Sequence, residues 1–256
     1  MTAGAAAAVG AIALLLSALP ALAGSPRELL PNLIQLPPIQ LQTRAVRVAG
    51  TTRHELLFTS TSANTGAGPL VVRLVRRSSA APFAVAQIVS RSDGSTRSYP
   101  VAVAIRYVSR PGHNHFHVPH FERYELRNAA DRVVATDTKL GFCLGDRAPV
   151  GTAHRPARFT GPCGRGIRNA LRLTVGISVG WADPYASDLD GQQLDVTGLP
   201  AGTYTLVNRV NPDGTFHESS YGDNVAAARI RLAWPNGRSA PPVVTPLASC
   251  RAERCP

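Results

Sequence analysis

The segment His113–His117 has the residue types and spacing of a metal-binding site. Its sequence, HNHFH, places a histidine at every second position. Alternate side chains of a β-strand share one face, so the three imidazoles would point the same way and Phe116 would point toward the core. Imidazole nitrogen is a good ligand for copper, zinc, nickel and iron. The spacing therefore predicts a transition-metal site formed by His113, His115 and His117.

One metal ion can bind all three side chains only if this strand bends. In a straight strand the outer Cβ atoms would lie ~13 Å apart, because each residue advances the chain by ~3.3 Å. Gly112 and Pro119 flank the segment and suit such a bend. His120 is out of phase, so it is either a surface residue or a residue that contacts the ligands. A histidine-rich strand without metal is the alternative interpretation.

Lys139 is the only lysine among the 27 lysines and arginines of the chain. A guanidinium stays protonated and is a poor nucleophile, so a primary amine is the one function that arginine cannot supply. Lys139 is therefore a candidate for covalent chemistry, and an ordinary surface lysine is the alternative.

Short runs rich in β-branched residues, separated by turn residues, predict an all-β fold to position these groups. Strands are predicted at 45–48, 55–60, 70–75, 83–89, 101–108, 121–127, 132–135, 172–179, 193–196, 202–210 and 225–232. Their number and spacing favour an antiparallel β-sandwich. The segments 147–169 and 183–192 are predicted to be long irregular loops, and such loops are often functional.

The chain is strongly basic, with a formal net charge of +11. Such a charge would suit a nucleic acid or another anionic surface. The arginines are scattered, however, and the sequence has no zinc-finger spacing, RRM signature or basic amphipathic helix. We therefore predict a solvated basic surface and no nucleic-acid partner.

The N-terminal segment 1–23 has the features of a secretory signal peptide. It has no charged side chain, its apolar run 5–19 ends at Pro20, and ALA at 21–23 is a small-residue cleavage pattern. An uncleaved anchor is the alternative, although the run is short and alanine-rich for a membrane span. We expect the mature protein to be secreted and to have no stable membrane span.

The four cysteines fit an oxidising compartment, in which two disulfides would form. Three pairings are possible, and the locally closed loops favour Cys143–Cys163 and Cys250–Cys255. A metal site made of cysteine alone is disfavoured because the chain has no CxxC pair.

Three motifs, in this order along the chain, resemble the catalytic domain of the lysyl oxidase family. They are HNHFH at 113–117, KLGFCL at 139–144 and DPYASDLDGQQLDVTGLPAGTY at 183–204. The resemblance covers residues 31–232 and implies a copper- and quinone-dependent amine oxidase. Animal members have a Trp-His-x-Cys segment where this chain has Ser109–Gly112, and they have more cysteines.

The resemblance also implies roles for individual residues. His113, His115 and His117 would bind Cu²⁺. Lys139 and Tyr185 would form the lysine tyrosylquinone cofactor. A primary amine, such as a lysine side chain, would then be oxidised by dioxygen to an aldehyde, with release of hydrogen peroxide and ammonia.

A general base is needed for this reaction, and Asp188 matches the family's segment. Asp183 and Asp190 also flank Tyr185, and each of the three could instead be a turn-forming aspartate. Two other functions compete with the oxidase. One is a non-catalytic extracellular adhesion or interaction module with a metal site. The other is a zinc hydrolase, with Glu122 or Glu125 as its base.

The predicted organisation has four parts. They are the signal peptide at 1–23, an extended proline-rich lead-in at 24–42 packed on the domain surface, the catalytic domain at 43–234, and a proline-rich tail at 235–256 with a small disulfide loop.

Overall fold

The computed structural model describes residues 1, 2, 4, 25–110, 112–137, 139, 141–152 and 156–256. Nearly all of the predicted signal peptide therefore lies outside the described residues. Within the described ranges every regular element is a β-strand, which confirms the all-β class. The strands are β1 Glu28–Leu29, β2 Leu33–Val48, β3 Thr51–Asn64, β4 Leu70–Val75, β5 Ala84–Arg91, β6 Thr96–Pro100, β7 Arg106–Val108, β8 His115–His117, β9 Glu122–Asn128, β10 Val133–Thr136, β11 Ala148–Pro149, β12 Arg172–Ile177, β13 Trp181–Tyr185, β14 Gln193–Asp195, β15 Gly202–Val210, β16 Val225–Ala233 and β17 Val243–Cys250. No helix in this part of the chain is long and apolar enough to cross a membrane.

The strands form three five-stranded sheets and one two-stranded sheet. The orders are β1-β5-β4-β12 with β6 beside β5, β10-β9-β15-β16-β17, and β11-β13-β3-β14 with β2 beside β3, while β7 pairs with β8. Phe58 of β3 and Tyr124 of β9 are fully buried, and their ring centroids lie 5.0 Å apart. The second and third sheets thus share one apolar core, as the predicted sandwich requires.

The proline-rich lead-in is extended, as predicted, but it is not a surface strap. Strand β2 runs through it and pairs with β3, and Leu33 is fully buried. The prediction of surface packing is wrong for this part of the segment. Pro37 and Pro38 fall at a register shift in the β2–β3 ladder, where a strand tolerates residues without an N–H donor.

The loop predicted at 183–192 begins later in the structure, because residues 183–185 belong to a strand. Asp183 and Tyr185 belong to β13, which pairs with β3 and places Tyr185 opposite Ser60. Asp183 and Tyr185 are both buried, as alternate residues of a strand can be. Pro184 lies between them and makes the strand hard to recognise in the sequence. The predicted strand 101–108 is also too long, because only β7 is regular there.

Two connections hold the histidine segment next to the segment that carries Lys139. Val118 and Phe142 form an isolated antiparallel bridge. The N–H of Phe116 donates a hydrogen bond to the carbonyl oxygen of Cys163 at 3.0 Å, and Cys163 is bonded to Cys143. Both predicted disulfides, including Cys250–Cys255, are confirmed.

Candidate metal centre and its lysine–tyrosine pair

Two residues in the left-handed conformation bend the chain through the histidine segment. Gly112 has a φ of 83° and Asn114 a φ of 53°. Positive φ takes the chain out of its extended path, so His113 turns back toward the histidines of β8. The Tyr107 hydroxyl donates a hydrogen bond to the Asn114 carbonyl oxygen at 2.8 Å and fixes the bend. This is the bend that a site for one ion requires.

One nitrogen of each imidazole converges on a common point. His117 Nε2 lies 2.9 Å from His115 Nε2 and 3.3 Å from His113 Nδ1. Ligands bound ~2.0 Å from one ion at angles of ~90–110° are ~2.9–3.3 Å apart. Two of the three spacings therefore suit ligands to one metal ion, and one ligand atom from each of the three histidines lies within 4.8 Å of the others.

The remaining ring nitrogens indicate where the protons are. His115 Nδ1 lies 2.6 Å from the carbonyl oxygen of His113, and His113 Nε2 lies 3.3 Å from Asp190 Oδ2. His115 Nδ1 donates to that carbonyl oxygen, and the carboxylate beside His113 Nε2 favours a proton there, so the converging nitrogens of these two rings carry lone pairs. His117 Nε2 can donate at most one proton and cannot satisfy both. A cation at the shared point satisfies all three rings, so the residues fit a bound transition-metal ion.

Burial keeps two of these imidazoles neutral. It lowers the pKa of His115, and it lowers the pKa of His117 to about 3, an effect to which the neighbouring histidines add. His117 Nδ1 is buried and has no hydrogen-bond partner among the described residues. Neutral imidazole is the form that binds metal ions.

Lys139 follows β10 and lies against the ring of Tyr185. Its Nζ is 5.0 Å from the centroid of that ring and 5.3 Å from the centroid of the Phe142 ring. The same nitrogen donates a hydrogen bond to the carbonyl oxygen of Asp190 at 3.2 Å. Burial lowers the pKa of the ammonium, although nearby carboxylates oppose the shift. A half-buried amine with a lowered pKa is a candidate nucleophile.

Tyr185 ends β13, and a buried carboxyl group holds its hydroxyl. The hydroxyl donates a hydrogen bond to Asp183 Oδ2 at 2.9 Å, and that oxygen also accepts one from the N–H of Gly145 at 3.1 Å. Burial raises the pKa of Tyr185 well above its ordinary value and raises the pKa of Asp183 to about 8. The carboxyl group in contact with the tyrosine is thus Asp183.

A cavity of about 640 Å³ brings the predicted site residues together. Its lining includes His113, His115, His117, Lys139, Tyr185 and Asp188. Asp188, the predicted base, is exposed. Arg147 lines the same cavity and donates hydrogen bonds to the carbonyl oxygens of Thr160 and Gly161, each at 3.0 Å. Three segments distant in sequence therefore share one space large enough for a small ligand or an extended side chain.

Two acidic residues near this space were given little weight by sequence reasoning. In the sequence Asp183 is one of three aspartates that flank Tyr185, and Glu122 is a candidate only for the base of a hydrolase. Each stands two residues before a buried tyrosine of the same strand, Tyr185 and Tyr124 respectively. That alternation was the available signal, because it places carboxyl and phenol on one buried face.

Fold and site together define an all-β protein in which three histidines that could hold a metal ion lie beside a lysine–tyrosine pair. The family model described as Lysyl oxidase matches residues 85–236, more than half of the chain. The chain therefore belongs to the lysyl oxidase family.

Curated relatives are similar over a shorter region. The chain is 36% identical over 121 residues to protein-lysine 6-oxidase of Rattus norvegicus, which is 46% of this chain and 27% of that protein. It is also 36% identical over 121 residues to protein-lysine 6-oxidase of Sus scrofa, covering 44% of that protein. It is 33% identical over 123 residues to lysyl oxidase homolog 2 of Gallus gallus, covering 14% of it. The chain thus spans less than half the length of each of these relatives.

Proposed function

We propose that the chain is a copper- and quinone-dependent amine oxidase that converts primary amines into aldehydes. One observation carries the proposal: the only lysine places its Nζ 5.0 Å from the centre of the Tyr185 ring, in the cavity that the three histidines line. An amine against an oxidisable phenol, beside a site for a redox metal, favours a cross-link between the two side chains. A metal-binding adhesion module needs neither Lys139 nor Tyr185.

His113, His115 and His117 would hold the copper ion. Copper bound there, together with dioxygen, would supply the oxidation of the tyrosine ring, and the resulting quinone would supply the electrophile for the substrate amine. Three protein ligands leave coordination positions free. Asp190 would keep His113 oriented through its carboxylate, of which Oδ2 lies 3.3 Å from Nε2.

The other residues would position and deprotonate the reacting groups. Burial of Lys139 favours the neutral amine that a nucleophile must be. Asp183 holds the Tyr185 hydroxyl and thereby fixes the ring against the lysine. Removal of the substrate's α-proton needs a base, for which Asp183 and Asp188 are the two carboxyl groups of the cavity lining nearest to Tyr185 in sequence.

The substrate would be a primary amine, with dioxygen as the oxidant. The relatives named protein-lysine 6-oxidase support a lysine side chain of a protein as that amine. The exposed carboxylates of Asp188 and Asp190 in the cavity lining would attract a cationic amine despite the basic surface. We propose no nucleic-acid partner.

We assign the catalytic unit to residues 43–234 together with β2, which is paired within the same sheet. We propose that segment 1–23 directs export and is then removed. Two disulfides are consistent with an oxidising compartment.

A tryptic peptide map of protein matured with copper in air tests the proposal. We expect trypsin to stop cleaving after Lys139, one species to join the peptides that contain Lys139 and Tyr185, and a visible quinone absorption to appear. Tyr185→Phe is the control, and it should bind copper while remaining cleavable after Lys139. If copper-loaded wild type is still cut after Lys139 and Tyr185 is unmodified, the oxidase proposal fails and a metal-binding module remains.

A further inference from the structure

Two long segments of the chain contain arginines but no aspartate or glutamate. Residues 56–92 contain four arginines, and residues 147–182 contain six. Strands β4 and β12 lie within these segments and pair with each other in antiparallel register. All 16 acidic residues of the chain lie outside both segments. The fold therefore joins two stretches whose positive charges have no acidic neighbours in sequence.

One face of this strand pair is basic and exposed. Arg73 of β4 alternates with buried residues and is exposed, as is Arg172 of β12. The ladder places Arg172 opposite Val75, two residues from Arg73, so the two arginines are diagonal neighbours on one face. Arg77 follows β4, Arg168 precedes β12, and both are exposed. We call these four arginines the basic face.

The arginines of the basic face are not neutralised within the molecule. None of the four forms an ion pair with another residue in the described ranges. Surface arginines elsewhere, such as Arg44 and Arg123, pair with carboxylates at 2.8 and 2.7 Å. The basic face thus has free guanidinium groups, each of which can bind a carboxylate with two parallel hydrogen bonds.

Arg76 connects the basic face to the cavity of the metal centre. Its guanidinium donates hydrogen bonds to the carbonyl oxygens of Arg168 at 2.6 Å and Ala170 at 2.7 Å. These bonds fix the segment 165–172, which begins at Arg165 in the cavity lining and ends in β12. Seven residues of chain span at most ~25 Å. The basic face therefore lies within reach of a peptide whose side chain enters the cavity.

The cavity and the basic face have opposite charges. Asp188 and Asp190 in the cavity lining are exposed and attract an ammonium group, whereas the basic face attracts carboxylates. A ligand with a lysine beside acidic residues matches both.

Apolar side chains lie among the arginines and favour a polypeptide as this ligand. Val75, Ile167 and Leu171 are 37%, 53% and 45% exposed. A polypeptide can supply apolar and acidic side chains together, whereas a nucleic acid or a sulfated polysaccharide presents mainly its charged backbone to such a surface.

We propose that the basic face binds an acidic segment of the substrate protein, close in sequence to the lysine whose amine enters the cavity. The inference deepens the proposed function and rests on it for the fate of the lysine. Binding of the acidic segment itself requires no catalysis, so the two can be tested separately.

The first test measures binding without copper. Two fluorescent peptides each contain one lysine, followed after a neutral spacer by four glutamates in one and four glutamines in the other. We expect the glutamate peptide to bind wild type at least ~10-fold more tightly by fluorescence anisotropy, and salt to reduce this preference. A variant with all four arginines of the basic face replaced by glutamine should lose the preference.

A second quadruple variant controls for net charge. It replaces exposed arginines that form no ion pair with a described residue and lie on other parts of the surface, namely Arg47→Gln, Arg132→Gln, Arg231→Gln and Arg251→Gln. It removes the same charge and should bind the glutamate peptide as wild type does. Equal losses in the two variants, or equal binding of the two peptides to wild type, overturn the proposal. Binding of a sulfated polysaccharide or a DNA oligonucleotide to the basic face without binding of the glutamate peptide also overturns it.

The second test measures peroxide release by protein matured with copper in air. The basic-face variant should oxidise a simple primary amine and the glutamine peptide as wild type does, while its kcat/KM for the glutamate peptide should fall ~10-fold. If wild type oxidises both peptides equally well, the inference fails and the proposed function stands. If no amine yields peroxide, the proposed function fails, and the binding test still decides whether the basic face takes an acidic peptide.

Discussion

At the scale of single residues, the site depends on which atoms hold protons. Asp183 and the Tyr185 hydroxyl share one hydrogen bond of 2.9 Å in a buried space, and burial raises the pKa of Asp183 to about 8. A carboxyl group with a pKa near the working pH can both take and return a proton. Asp188 is exposed, so water surrounds its carboxylate and competes with it for the proton of the substrate. These surroundings favour Asp183 over Asp188 as the base.

Paired substitutions separate the two carboxyl groups. We expect Asp183→Asn to lower kcat by ~10²–10⁴-fold, and Asp188→Asn to lower it by less than ~10-fold. The measurement is peroxide release from a simple primary amine, normalised to the amount of cross-linked protein in each variant. Copper content per chain is the control for the metal site. The reverse ranking would instead support Asp188, the base predicted from sequence.

At the scale of elements, the turn at Gly191, which follows the exposed residues Asp188 and Asp190, packs against Lys139. Gly191 has a φ of 81°, and a Cβ at that position would lie 3.1 Å from both Cα and Cγ of Lys139. Only glycine permits this backbone conformation and this approach together. The turn therefore fixes the backbone of Lys139 from a segment that is distant in sequence.

A matched pair of glycine substitutions tests this support. Gly94 has a similar φ of 83°, but a Cβ there would meet nothing within 4 Å. Gly94→Ala and Gly191→Ala should each cost ~1 kcal/mol of stability, because both force alanine into the left-handed region. Only Gly191→Ala should also slow cross-linking, by ~10-fold or more, since it displaces Lys139. Thermal melts and the tryptic map measure the two effects, and equal cross-linking rates would show that the close approach is unimportant.

At the scale of the whole molecule, the two disulfides differ in their effects on stability and on the geometry of the site. Cys143–Cys163 spans 20 residues and ties the segment after Lys139 to the long irregular loop, whereas Cys250–Cys255 spans 5 residues at the end of β17. Loss of chain entropy on cross-linking grows with loop length. The first bridge therefore has the greater effect on both stability and site geometry.

Replacing each pair by serine should show this difference. We expect loss of Cys143–Cys163 to cost about 3 kcal/mol and loss of Cys250–Cys255 about 2 kcal/mol. Only the first variant should also slow cross-linking of Lys139 to Tyr185. Denaturant unfolding and the peptide map report the two effects. A cross-linking defect in the second variant would contradict the assignment of that bridge to the tail alone.

The reactive groups and the class of fold can be read from the amino-acid sequence alone. The period-two histidines, the single lysine and the motif around Tyr185 are local features, and so is the alternation that predicts strands. The two disulfides were also predictable, because each closes a short loop.

The contacts among these groups depend on the three-dimensional fold. The left-handed Asn114 brings three nitrogens to one point, and pairing with β3 places Asp183 against Tyr185. Burial by distant strands raises the pKa of Asp183 and of Glu122. Contacts and desolvation of this kind arise between residues far apart in sequence, so no local pattern specifies them.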